Sequence, residues 1–359
     1  MDVKAANERA IAGVLARNPR LVAVRPALEV VPDMEPELIL HAAPPAPLED
    51  LSPPLRASIR GAAEFEGLSR GQLALGAAQD HCSMAGGAGA ITASAPVLVV
   101  EDETNGRRAF HFLMEGFGRT LILGMTGDDV LQRLRWLREE AALDAALGQL
   151  GGIDCDEIVI EALRRGDELH NRNAAATSML AERLAPGLRQ AGIAPDVQER
   201  LFAFLRGNPQ FFIGVSLAAC KLMLDAGHGV EGSTLITAVG ANGRDCAVRV
   251  SGLGDAWFTA PAEVPQGVPM EGFSPGDAGP GCGDSLLIEC AGLGASVLPA
   301  APALWPLLGV DQPQAGRIHE RAAKIAIAEH PRYRVPVLGD GDAPVGATSC
   351  NSFRPGSGR

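Results

Sequence analysis

An α/β fold, with mixed sheet segments flanking a helical middle lobe, is predicted by three features of the sequence. The first third of the 359 residues alternates short apolar runs with helical stretches. Between about residues 128 and 226 apolar residues recur at the helical spacing, and after Gly232 the spacing drops to the alternation of a strand.

Taken in order, residues 5–17 read as a helix stopped by Asn18-Pro19, and 21–24 and 38–40 as short strands. A connector rich in proline (Pro44, Pro45, Pro47, Pro53, Pro54) leads to a small-residue helix over 55–66, and 84–90 is a glycine loop. The β-branched run 97–100 is a strand, and Asn105-Gly106 marks a turn. Val130, Leu131, Leu134 and Leu137 place a long helix over 128–147, with Asp128 or Asp129 as its N-cap. Gly151-Gly152 breaks it, and further helices follow over 156–169, 173–184, 197–205 and 212–226. Residues 234–239 and 245–250 flank Asn242-Gly243, a strong hairpin signal. A two-residue turn there pairs 239 with 246 and 236 with 249, and sets the hydroxyls of Thr234 and Ser251 opposite each other beside Arg249. Boundaries near 150 and 231 give an N-terminal α/β domain (1–150), a helical lobe (151–230) and a C-terminal α/β domain (231–359) whose hairpin completes the site.

Composition narrows the function classes. With 11 Phe, 3 Trp and 1 Tyr, the core must be built from small aliphatic side chains. A net charge of −12 and the lack of a basic run argue against a nucleic-acid partner. The 7 cysteines form no CxxC pair, so neither a zinc ribbon nor a disulfide scaffold is expected, and no metal or cofactor is called for. Residues 291–310 carry no charge but hold three prolines and three glycines, which suits a buried irregular segment rather than a membrane span. The first ten residues lack the apolar core of a signal peptide, so the expected location is cytoplasmic. The abundance of small residues and the apolar 291–310 segment suggest a homo-oligomer.

Three polar clusters could carry chemistry. His170-Asn171-Arg172-Asn173 lies between two apolar helices, where four polar side chains are costly to bury without partners. Read as a helix, it puts His170, Asn173 and Thr177 on one face. Its bland reading is a helix junction. Asn208 follows Gly207, and the next helix carries Lys221, the only Lys or Arg between 211 and 230, before the bend His228-Gly-Val-Glu231-Gly-Ser233-Thr234. A lone lysine there usually reaches for the surface. The third cluster is Arg249-Val-Ser251-Gly252-Leu-Gly-Asp255, where glycines after a strand let backbone amides approach an anion and arginine offers a planar fork. The pattern indicates a small-anion site and leaves the reaction open. A single pocket uniting the three clusters is the expectation.

The segments 167–178, 207–208, 225–234, 249–261 and 330–334 resemble the YlbE/YahG family, over nearly the whole chain. That family includes a subunit of oxamate carbamoyltransferase that works with an FdrA-type protein and a third subunit. The resemblance implies carbamoyl transfer between phosphate and a small amide or ureido acid, with carbamoyl phosphate and an oxamate-like acid as ligands. Members often carry a run of histidines where this chain has Gln79-Asp80-His81-Cys82, and the short tail beyond Arg334 suggests a trimmed C-terminal end. On this reading Arg249, Ser251 and Gly252 hold the anion, and Arg172 is a second clamp. His170 or His228 polarises the carbonyl or moves a proton. Asn171, Asn173 and Asn208 orient amide groups, with Lys221, Glu231, Ser233, Thr234 and Asp255 also on the substrate. Two other readings stay open: an amidohydrolase of a carbamoylated acid, and a non-catalytic ligand-binding or structural subunit.

Overall fold

Residues 2–265, 267–269, 272–335 and 341–349 are described by a computed structural model of the chain. Residues 350–359 of the proposed third domain, with Cys350, lie outside them. The main sheet has five strands in the order Ser83–Met84, Arg108–Phe112, Pro96–Asp102, Pro19–Pro26 and Ile153–Asp154. Its centre is the antiparallel pairing of Leu21 with Val100 and Val24 with Leu98. Pro19 and Pro26 stand at the two ends of their strand, where a missing N–H does least harm to the ladder. Three smaller sheets surround it, and the fold is α/β with mixed and antiparallel sheets, as expected.

The Phe212–Asp225 helix packs on strands Pro96–Asp102 and Arg108–Phe112 of this sheet and on the Ile236–Asn242 strand of the next. A helix apolar all round belongs in a core, and it is buried along nearly its whole length. One buried cluster draws side chains from Ala10 to Val345, so distant parts of the sequence share one core. Within residues 291–310 the 3-10 segment Gly294–Ala300 is buried against the Gln312–Ile325 helix, while Pro302–Leu304 and the short Trp305–Leu308 helix lie mostly nearer the surface. Among the described residues no helix is long and apolar enough to cross a membrane.

Several elements depart from the sequence reading for identifiable reasons. The long helix divides into Asp128–Glu139 and Ala142–Leu150, because Glu140 leaves helical geometry and its carboxylate accepts the Ala142 N–H at 3.0 Å, capping the restart. Gly127 is the N-cap, and Asp128 and Asp129 fall in the first turn. The helix expected to reach 169 ends at Arg164, where Gly166 and then Leu169 adopt left-handed backbone. His170 therefore sits in a loop, and the helical face shared by His170, Asn173 and Thr177 does not form.

The hairpin forms with a different register. Ala241 pairs with Cys246 and Ala238 with Arg249, because the Asn242 side chain accepts the N–H groups of both Arg244 and Asp245 and closes a longer turn. A shift of two residues keeps each side chain on its expected face. An irregularity between Arg249 and Val250 then offsets the last pair, Val250 with Ile236.

Candidate functional site: a half-buried histidine between two carboxylates and a serine

Tight backbone after Gly166 folds residues 167–173 around the Glu168 side chain. Its carboxylate accepts the N–H groups of His170 (3.1 Å), Arg172 (2.8 Å) and Asn171. Burial pushes the Glu168 acid up to about 7, against the pull of the His170 charge and these amides. The His170 Nδ1–H donates to Glu289 Oε1 at 2.7 Å, and Nε2 lies 3.0 Å from Ser285 Oγ. Burial disfavours the imidazolium, but the charges of Glu289 and Glu168 outweigh it and raise the His170 pKa above its ordinary value. The ring keeps 16 % of its side-chain surface exposed. Arg172, 37 % exposed, pairs with the buried Asp167 at 3.3 Å. Asn173 donates to Gln210 Oε1 at 2.7 Å, and Gln210 returns a bond to the Asn171 carbonyl. Asn208 is buried and donates to the Met114 carbonyl at 2.9 Å, a structural tie.

A second polar cluster forms around the hairpin. His228 Nδ1 meets Thr237 Oγ1 at 2.9 Å and Nε2 meets Asp255 at 3.1 Å. Arg249 gives its fork to Asp80 and to the Asp255 carbonyl, and its guanidinium stacks 4.5 Å from the Trp257 ring centroid. Trp257 also donates to Asp80. Gln79, the neighbour of Asp80, bonds both backbone groups of Val239 and so occupies the open side of that strand.

Two of the three segments expected to share a pocket are joined directly. The bend at 228–234 and the strand tip at 251–252 do meet, through Gly229 N–H on the Ser251 carbonyl and Gly252 N–H on the Ser233 carbonyl. Among the described residues, however, no hydrogen bond or ion pair joins either to 170–173. The hydroxyls of Thr234 and Ser251 do not face a common ligand. Ser233 and Thr234 bond Asn7, and Thr234 also bonds Thr348. Ser251 donates to the Gly227 carbonyl at 2.6 Å and accepts the Val230 N–H. Gly252 is glycine for a steric reason, since a Cβ there would lie 2.6 Å from the Ser233 carbonyl oxygen. Lys221 does not reach the surface. It is 2 % exposed and pairs with Asp225 at 2.6 Å, which answers the cost of burying its charge. Glu231 is exposed.

Asp284, fully buried, lies between these regions. It accepts the Ala85 N–H at 2.8 Å, with Lys221 and the Gln79 side chain near its carboxylate. Sequence reasoning missed Glu168, Asp284, Ser285 and Glu289 as site residues. The available signal was the polar pair Asp284-Ser285 opening an apolar run in which Glu289 falls four residues after Ser285, one helical turn on. No group of three or more His, Cys, Asp or Glu residues suited to a metal occurs among the described residues. A mostly apolar concavity of about 750 Å³ is lined by Val264, Val268, Phe273 and Pro275, and its lining includes none of His170, Asp284, Ser285 and Glu289.

The molecule is thus an α/β protein in which His170, Glu289 and Ser285 form a partly exposed hydrogen-bonded cluster. It belongs to the family described as oxamate carbamoyltransferase subunit AllG, whose family model matches residues 73–285. The chain is 34 % identical over 351 residues to the Escherichia coli K12 protein called oxamate carbamoyltransferase subunit AllG, covering 93 % of this chain and 84 % of that one. It is 33 % identical over 350 residues to the uncharacterized protein YahG of the same organism, covering 94 % and 74 %. A crystal structure of a conserved protein of unknown function from Enterococcus faecalis V583 superposes with a TM-score of 0.93 at 33 % identity, covering 96 % of this chain and 86 % of that one. The expected YahG-type membership holds.

Proposed function

We propose that the chain is a subunit of a carbamoyltransferase complex of the oxamate carbamoyltransferase type, and that it supplies the reacting centre around His170. The observation that carries this reading is the His170 imidazole held between Glu289 and Ser285 while still partly open to solvent. Transfer between phosphate and a small amide acid needs a group that takes a proton from the attacking nitrogen and returns it to the leaving oxygen, and a histidine fixed on one side by a carboxylate suits both tasks. Arg172, partly exposed and paired with the buried Asp167, is the proposed anion clamp. Arg249, already committed to Asp80 and Trp257, organises the second cluster instead. The family likeness supports an FdrA-type partner subunit and a third subunit, and the exposed apolar side chains of Val264, Val268 and Phe273 support association.

The test is a phosphate balance on the chain reconstituted with its partner subunits, given carbamoyl phosphate and oxamate. The expected result is one phosphate released for each carbamoylated acid formed. Consumption of a carbamoylated acid without phosphate would instead identify the amidohydrolase. A complex that works equally well without this chain would overturn the assignment.

A further inference from the structure

The geometry points to Ser285 as a nucleophile that carries the carbamoyl group covalently, activated by His170 and oriented through Glu289. This deepens the proposed carbamoyl transfer and rests on it for the identity of the substrate. The three side chains form an unbroken relay: Ser285 Oγ to His170 Nε2 at 3.0 Å, and His170 Nδ1 to Glu289 Oε1 at 2.7 Å. This is the arrangement of nucleophile, base and orienting acid that activates serine hydroxyls on unrelated folds, recognised by geometry rather than by sequence order. With Nδ1–H donating to Glu289, the neutral ring presents its Nε2 lone pair to the Ser285 hydroxyl.

The acid is built into place. Ala295 N–H donates to the same Glu289 oxygen at 3.2 Å, and Gly294 leaves room for that oxygen, which would lie 2.3 Å from a Cβ at this position. Gly294 N–H in turn holds the Glu168 carbonyl at 2.7 Å. One loop therefore fixes the Glu289 carboxylate and the backbone of Glu168. Ser285 is only partly buried.

The chemistry balances without a further reactant. Ser285 Oγ attacks the carbonyl carbon of carbamoyl phosphate as its proton passes to His170 Nε2. The bond from that carbon to the phosphate oxygen breaks, and phosphate leaves with the proton from His170. The product is a carbamoyl ester on Ser285. The amide nitrogen of the acceptor acid then attacks the ester carbon and gives its proton to His170, and Ser285 Oγ leaves and takes that proton back. The net change is carbamoyl phosphate plus acceptor to carbamoylated acceptor plus hydrogen phosphate.

A fluorophosphonate probe tests the nucleophile independently of the natural substrate, since attack by Ser285 Oγ on its phosphorus expels fluoride and leaves a stable ester. With the purified full chain, peptide mass spectrometry should place the label on Ser285. Labelling should vanish in Ser285→Ala and fall at least about a hundredfold in His170→Gln, with circular dichroism unchanged in both. Glu289→Gln should label more slowly while remaining folded. Wild-type chain that stays unlabelled at Ser285, or a His170→Gln variant that labels at the wild-type rate, overturns this inference. If the reconstituted complex still transfers carbamoyl groups in that case, the functional reading stands alone. A labelled Ser285 in a complex that transfers none leaves the nucleophile and removes the carbamoyl reading.

Discussion

Replacing His170 by glutamine is expected to lower carbamoyl transfer by the reconstituted complex by about 10²- to 10⁴-fold, the usual contribution of a positioned proton carrier. Glutamine fills similar space and can still donate to Glu289, so the loop at 167–173 keeps its main support from the three amides on Glu168. The loss should therefore fall on kcat rather than on folding. Steady-state kinetics with an unfolding curve on the same preparation separates the two. A folded variant within about twofold of wild-type activity would mean that the proton carrier resides in a partner subunit.

The second large effect concerns Asp284. Burial pushes its acid up to about 7 from an ordinary 3.8, against the stabilising pull of the Ala85 amide, the Lys221 charge and the Gln79 side chain. Between about pH 4 and pH 7 the folded chain holds a proton there that the unfolded chain has released. This group's contribution to stability therefore falls as pH rises through that window. Asparagine carries no such proton, keeps an acceptor for Ala85 N–H, and needs no ionisable group in the core. Asp284→Asn should match wild type near about pH 4 and exceed it in stability above about pH 7 by up to about 4 kcal/mol. Urea unfolding at the two pH values measures it. A variant less stable than wild type above neutrality would show that the carboxylate is ionised and held by Lys221.

Much of the fold was legible because it rests on local chemistry. The Asn242-Gly243 hairpin, the helix buried all round at 212–225 and the irregular 291–310 segment all follow from residue types within one window. What local pattern could not show was where side chains would spend their polar groups. Asn242 used its own side chain to lengthen the turn, which moved the register by two. Thr234 and Ser251 looked like paired ligand donors, yet Asn7, Thr348 and the Gly227 carbonyl, each far along the chain, take them. Similarly, His170 stood out as a polar residue between apolar helices. Its partners Ser285 and Glu289 lie more than a hundred residues downstream, in a stretch whose apolar character concealed them. Lys221 found its acid one turn away on its own helix, so a lysine that local pattern assigns to the surface lies in the core.

A crystal of the full chain soaked with oxamate and phosphate tests most directly whether the reacting centre lies in this chain. Density should appear within hydrogen-bonding reach of His170, Ser285 and Arg172, with the anion toward the guanidinium. Density seated instead against Arg249 and Trp257, with the His170 loop empty and unchanged, would contradict the assignment made here.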